Sequence, residues 1–73
     1  MKITYDAEAD AAYIYFVDTI PPGGVKKTYE CDPQEVDGMI NLDFDEEGRI
    51  LGVEVLDASA RLPKAILKQA INI

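Results

Sequence analysis

The chain has no histidine, no tryptophan and a single cysteine, Cys31, among its 73 residues. Without histidine there is no Ser-His-Asp or Cys-His arrangement and no imidazole general base. One cysteine and no histidine exclude an intramolecular disulfide and a Cys/His zinc site. A lone thiol fits a reducing cytoplasm, where the protein is expected. Long apolar runs are missing too. No run of aliphatic or phenylalanine side chains exceeds three residues, far below the ~20 that a membrane-spanning helix needs. Asp6, Glu8 and Asp10 occupy the place of a secretory signal's apolar region, so neither a signal peptide nor a membrane contact is expected. Basic residues are scarce: seven against 14 acids, for a net charge of −7.

The imbalance is uneven. All 14 acids and four of the seven bases lie in residues 1–60, while Arg61, Lys64 and Lys68 face no acid in 61–73. An acidic body repels phosphates, so no nucleic-acid partner is expected. It suits a basic protein partner, cations, or plain solubility. At 73 residues the chain forms one domain, 1–73. A domain of that size buries only about 60% of its unfolded surface. Chains this short often add disulfides, metals or oligomerisation, and with disulfides and Cys/His zinc excluded, self-association becomes the expectation.

Hydrophobic periodicity places the elements. Lys2–Asp6 alternates, with Ile3 and Tyr5 on one side, and reads as a strand. Ala11–Val17 is rich in aromatic and β-branched residues; Ala12, Ile14 and Phe16 take one face and Tyr13, Tyr15 and Val17 the other. Apolar groups on both faces make this strand central or covered on both sides. Pro21-Pro22-Gly23-Gly24 is a loop. Val25–Cys31 carries Lys26 and Lys27 and reads as an edge strand, and Asp32–Gly38 as a loop. Met39–Phe44 alternates with Ile40, Leu42 and Phe44 inward. Asp45–Gly48 is a hairpin turn, with Gly48 left-handed. Ile50–Leu56 puts Leu51, Val53 and Val55 on one face, Gly52 and Glu54 on the other.

After Pro63, which suits a first helical turn, Leu62, Ile66, Leu67, Ala70 and Ile71 recur at helical spacing. The expected fold is α+β, mainly β. It has an antiparallel meander of four to five strands over 2–57, then one short C-terminal helix over about 63–71. One helix covers one sheet face. The uncovered groups, with the helix stripe, make Tyr13, Tyr15, Val17, Ile66, Leu67 and Ile71 the candidate interface of a homodimer or higher oligomer.

Two stretches combine into a pattern. The first is Met1-Lys-Ile-x-Tyr-Asp6 with Glu8-Ala-Asp10-Ala-x-Tyr13-Ile14. The second is Asn41-Leu-Asp-Phe-Asp-Glu-x-Gly48-Arg-Ile-Leu-Gly52-Val-Glu54-Val-Leu-Asp57-Ala-Ser59. Over about residues 1–62 the chain resembles the family called domain of unknown function 2283, small prokaryotic proteins. The resemblance implies a β-rich fold and supplies no catalytic residue. Short families of this kind often lie beside small toxin-like genes, which implies an antitoxin-like role.

The residues themselves offer few sites for chemistry. Asp43, Asp45, Glu47, Gly48 and Glu54 match positions 1, 3, 5, 6 and 12 of a calcium loop. Glutamate at position 5 is bulky, and the flanks read as strands where an EF-hand needs helices. An acidic, solvated hairpin turn is the competing reading. Asp6, Glu8 and Asp10, beside Tyr5 and Tyr13, form a second carboxylate group. It suits a cation, an acid–base pair in an unrecognised carboxylate-dependent enzyme, or simple Asx turns. Ser59 has no histidine base and no nucleophile elbow, and with Asp57 reads as a cap; Arg61 is placed to pair with Asp57. The sequence therefore points to a small, acidic, non-enzymatic module without cofactor, which oligomerises or binds protein. Carboxylate metal binding stands second.

Overall fold

The computed structural model describes all residues from Met1 to Ile73. Strands β1 (Lys2–Asp6) and β2 (Ala11–Tyr15) form a hairpin, and β3 (Lys27–Glu30), β4 (Ile40–Phe44) and β5 (Ile50–Leu56) follow. A single helical turn, α1 (Pro33–Val36), links β3 to β4. Two short helices, α2 (Ala58–Arg61) and α3 (Lys64–Gln69), precede a final strand, β6 (Ile71–Asn72). The strands make one sheet in the order β3-β4-β5-β2-β1-β6, antiparallel except for the β1–β6 pair.

This is a mainly β fold with four differences from the sequence expectation. First, the sheet is not a simple meander. β2 pairs with β5 through Ala12↔Val55 and Ile14↔Val53, so residues after Tyr15 cross to the far edge before β3 begins. That pairing is non-local, and no local pattern expresses it. Second, the stretch read as one C-terminal helix over about 63–71 holds a shorter helix, α3, and the start of β6, and a further short helix, α2, lies ahead of it. Leu62 precedes Pro63 and is held extended at φ −99, ψ 145, because a residue before proline disfavours the α region. Pro63 then opens α3. Third, Ala70 leaves the helix at ψ 144, and Ile71 pairs with Thr4 on the free edge of β1. A six-residue helix gains little by extension, whereas the β1 edge offers unpaired backbone groups, one of which accepts from Ile73 N at 3.0 Å. Fourth, the Asp32–Gly38 loop contains α1. Asp32 caps it by accepting from Gln34 N at 3.0 Å, and Pro33 fills its first position.

Other expectations hold. β3 lies at the sheet edge, β2 lies inside it, and Gly48 turns the β4–β5 hairpin at φ 81. Val17 falls beyond the end of β2.

Helices α2 and α3 pack on one face only. The core there is Ala12, Val55 and Ala58, flanked by Tyr5, Val53, Leu62 and Leu67. The neighbouring row runs Tyr29, Leu42, Val53, Ile14 and Ile3 across five strands in register. It is buried only at the Ile3 end, and Tyr29 is 53% exposed. Six of the 73 residues are buried, and no large side chain is fully so. No helix is long and apolar enough to cross a membrane.

Candidate functional site

The face opposite the helices carries the polar chemistry. Alternation along β2 sends Tyr13 and Tyr15 to this side, away from the core residues Ala12 and Ile14. Register then aligns Thr4, Tyr13, Glu54 and Asn41 in one row, and Lys2, Tyr15, Gly52 and Asp43 in the next. Gly52 makes room for the second row. A Cβ there would lie 2.3 Å from the Tyr13 ring and 2.7 Å from the Ile14 carbonyl. The Tyr13 ring leans across this gap and donates its hydroxyl to Asp43 Oδ2 at 2.6 Å. Thr28 Oγ1 donates to the other Asp43 oxygen at 2.6 Å. Desolvation, followed by the bond to Asp43 and that carboxylate's charge, pushes the Tyr13 phenol well above its ordinary value.

Tyr13 and Tyr15 touch, with ring centroids 4.6 Å apart and planes tilted by 53°, a favourable offset geometry. Lys2 Nζ sits 4.2 Å from the Tyr15 centroid, within cation–π range. On the Lys2 side the rings border a hollow of about 370 Å³ that also takes in Thr19, Ile20, Val25 and Asp43. On their other side is a smaller cleft of about 220 Å³, bordered by Thr4, Asp6, Ala11, Glu54 and Ile73.

The calcium-loop carboxylates do not converge. Asp43 is held by Tyr13 and Thr28. Asp45 closes the hairpin turn, accepting from Glu47 N and Arg49 N at 2.9 and 2.8 Å. These backbone bonds, the one from Arg49 foremost, hold its carboxyl below the ordinary range. Glu47 pairs with Arg49 at 2.7 Å. Glu54 accepts from Asn41 Nδ2 at 2.9 Å on the open face. No three carboxylate or thiol side chains form a group able to hold a metal ion.

The Asp6–Asp10 group divides as well. Asp6 makes the Asx turn, accepting from Glu8 N and Ala9 N. Asp10, left-handed at φ 51, serves a distant element. It accepts from Tyr5 Oη at 2.7 Å, from Ser59 N at 3.0 Å and from Ser59 Oγ at 2.8 Å. The bond from Tyr5 is the main cause that lowers its pKa, followed by those from Ser59. The cap of α2 is thus supplied by Asp10, and Asp57 makes no side-chain capping bond. Arg61 pairs not with Asp57 but with Asp37 at 3.9 Å, and donates to the Val36 carbonyl. Its guanidinium lies against Gly38.

The six candidate interface residues are not one surface. Tyr13 and Tyr15 lie on the open face, and Ile71 pairs with Thr4 at its margin. Leu67 packs into the core on the opposite side. Sequence reasoning missed the Tyr13–Asp43 bond and the role of Asp10. A glycine inside a strand was the available signal for the first, because it marks close approach of another group.

The model of the family described as proteins of unknown function, DUF2283, matches residues 2–59. The chain belongs to the DUF2283 family. The match includes Tyr13, Asp43, Gly52 and Glu54, and the Asp10–Ser59 cap closes at its last residue. The DUF2283 region thus holds β1–β5 and the start of α2, whereas α3 and β6 lie beyond it. No curated protein and no solved structure matches the chain.

Proposed function

We propose that this DUF2283 protein is a non-enzymatic binding module that works as a homo-oligomer. The observation that carries this reading is the incomplete core. Only six residues are buried, and the Tyr29 and Leu42 end of the apolar row lies on the helix-bearing face outside the core that Val53 flanks. A chain of 73 residues with neither disulfide nor zinc site has few other ways to gain stability. A second copy laid against this row buries apolar area without bringing the acidic open faces together. The carboxylates favour no catalytic reading, since Asp10, Asp43 and Asp45 are each engaged in structural hydrogen bonds.

Light scattering over a concentration series tests the reading. The wild-type chain is expected as a dimer or larger species, indifferent to millimolar calcium. Tyr29→Lys, at a position exposed enough to leave the fold intact, is expected to shift the population to monomer. A wild-type monomer at high micromolar concentration would refute self-association.

A further inference from the structure

The two sides of the tyrosine pair differ in one respect. On the first, the chain supplies its own cation: Lys2 lies over Tyr15, and both oxygens of Asp43 are taken. On the second, the same rings meet Asp6 and Glu54 with no basic side chain lining the cleft. Neither carboxylate is ion-paired, because the chain's ion pairs all belong to Arg49 and Arg61. Glu54 accepts one hydrogen bond on Oε1, and the two bonds to Asp6 both fall on Oδ1.

From this asymmetry we infer that the cleft between Tyr13, Tyr15, Asp6 and Glu54 is a receptor for an arginine side chain of a basic protein partner. The chemistry of the lining selects a cation. Aromatic faces attract one, and carboxylate oxygens with spare lone pairs accept its N–H donors. The size selects a side chain. At about 220 Å³ the cleft is smaller than the ~300–1,000 Å³ of small-molecule sites. Guanidinium is preferred over ammonium because it is planar, weakly hydrated and able to stack while bonding a carboxylate. The net charge of −7 adds long-range attraction for a basic partner. Ile73, at the rim, offers an apolar contact for the arginine methylenes. This site is on the face opposite the proposed self-association row, so it stands whether or not the chain oligomerises.

The test is a titration with an arginine-rich peptide, followed by the ring resonances of Tyr13 and Tyr15, with diffusion measured on the same samples. A matched lysine peptide and a glutamate peptide serve as comparisons. Binding is expected in the order arginine, lysine, glutamate, with both rings shifting and the affinity falling as salt rises. Glu54→Gln keeps an oxygen for Asn41 and removes only the charge; it is expected to weaken binding about fivefold, the upper range of an exposed ion pair. Glu35→Gln, an equal charge change on α1 away from the cleft, is expected to leave the affinity unchanged. Equal losses in the two variants would mean diffuse attraction to an acidic surface and would overturn the proposal. So would unmoved ring resonances. If the rings shift on dilution of the protein alone, in step with its diffusion, a second copy and not a foreign partner fills the cleft. Absence of peptide binding by a chain that still self-associates refutes this site and leaves the oligomer standing.

Discussion

Gly52 is required by its neighbour rather than by its own backbone. Tyr13 fills the space a side chain would take, and the nearby Ile14 carbonyl cannot yield as a flexible side chain does. Gly52→Ala is therefore expected to cost about 1–3 kcal/mol, the usual range for overpacking, and to break the bond from Tyr13 to Asp43. Urea unfolding measures the first effect, and the tyrosinate absorbance titration the second. In the wild type the Tyr13 phenol is raised above its ordinary 10.0. A raised group contributes stability that is present below its unfolded value and lost as pH rises beyond it. Stability should accordingly decline above pH 10.0, and Tyr13→Phe should remove that part of the decline. Asp10 behaves in the opposite sense. Its depressed carboxyl contributes stability that is present above the ordinary 3.8 and fades as pH falls below it. Asp10→Asn keeps the left-handed conformation and an acceptor for Tyr5. Its melting temperature should lie below the wild type's at neutral pH and converge with it in acid. The left-handed Gly48 was legible from its hairpin, but the Asp10 cap was not, because its partner Ser59 lies on an element far along the chain.

At the scale of elements, strands were easier to read than helices. Alternation in β1, β2, β4 and β5 is enforced by one buried face, and it fixed which side of each strand meets the core. The C-terminal spacing of Leu62, Ile66, Leu67 and Ile71 misled because a short amphipathic stripe satisfies the helical period even where the last residue pairs as a strand. Pro63 carried more information than that stripe, since it both ends α2 and begins α3. Removal of Ile71–Ile73 distinguishes the arrangements. The truncated chain is expected to lose thermal stability, through the exposed β1 edge, while its helical circular dichroism stays constant. A helix running to Ile71 would lose helical signal instead. At the start of α2, Asp57 is left-handed at φ 52 without a compensating bond. Asp57→Gly should exceed Asp57→Ala in stability by about 1 kcal/mol, the order of the cost of a left-handed Cβ.

The whole molecule is a sheet half-covered by its helices. Chain length anticipated this shortfall, since a domain so short buries only about 60% of its unfolded surface, and the order of its strands decides where the shortfall lies. β3 and β4 sit beyond the helices because β2 pairs with β5, a contact between distant residues that no local pattern reveals. The result is two unlike surfaces: an apolar row on the helix side, and an acidic, tyrosine-lined face on the other. A dilution series of amide spectra shows whether the two surfaces act separately. Self-association through the apolar row predicts concentration-dependent shifts at Tyr29, Leu42 and Val53, with Thr4, Tyr13 and Glu54 still. Shifts confined to the open face, or none at all up to high micromolar concentration, would contradict it.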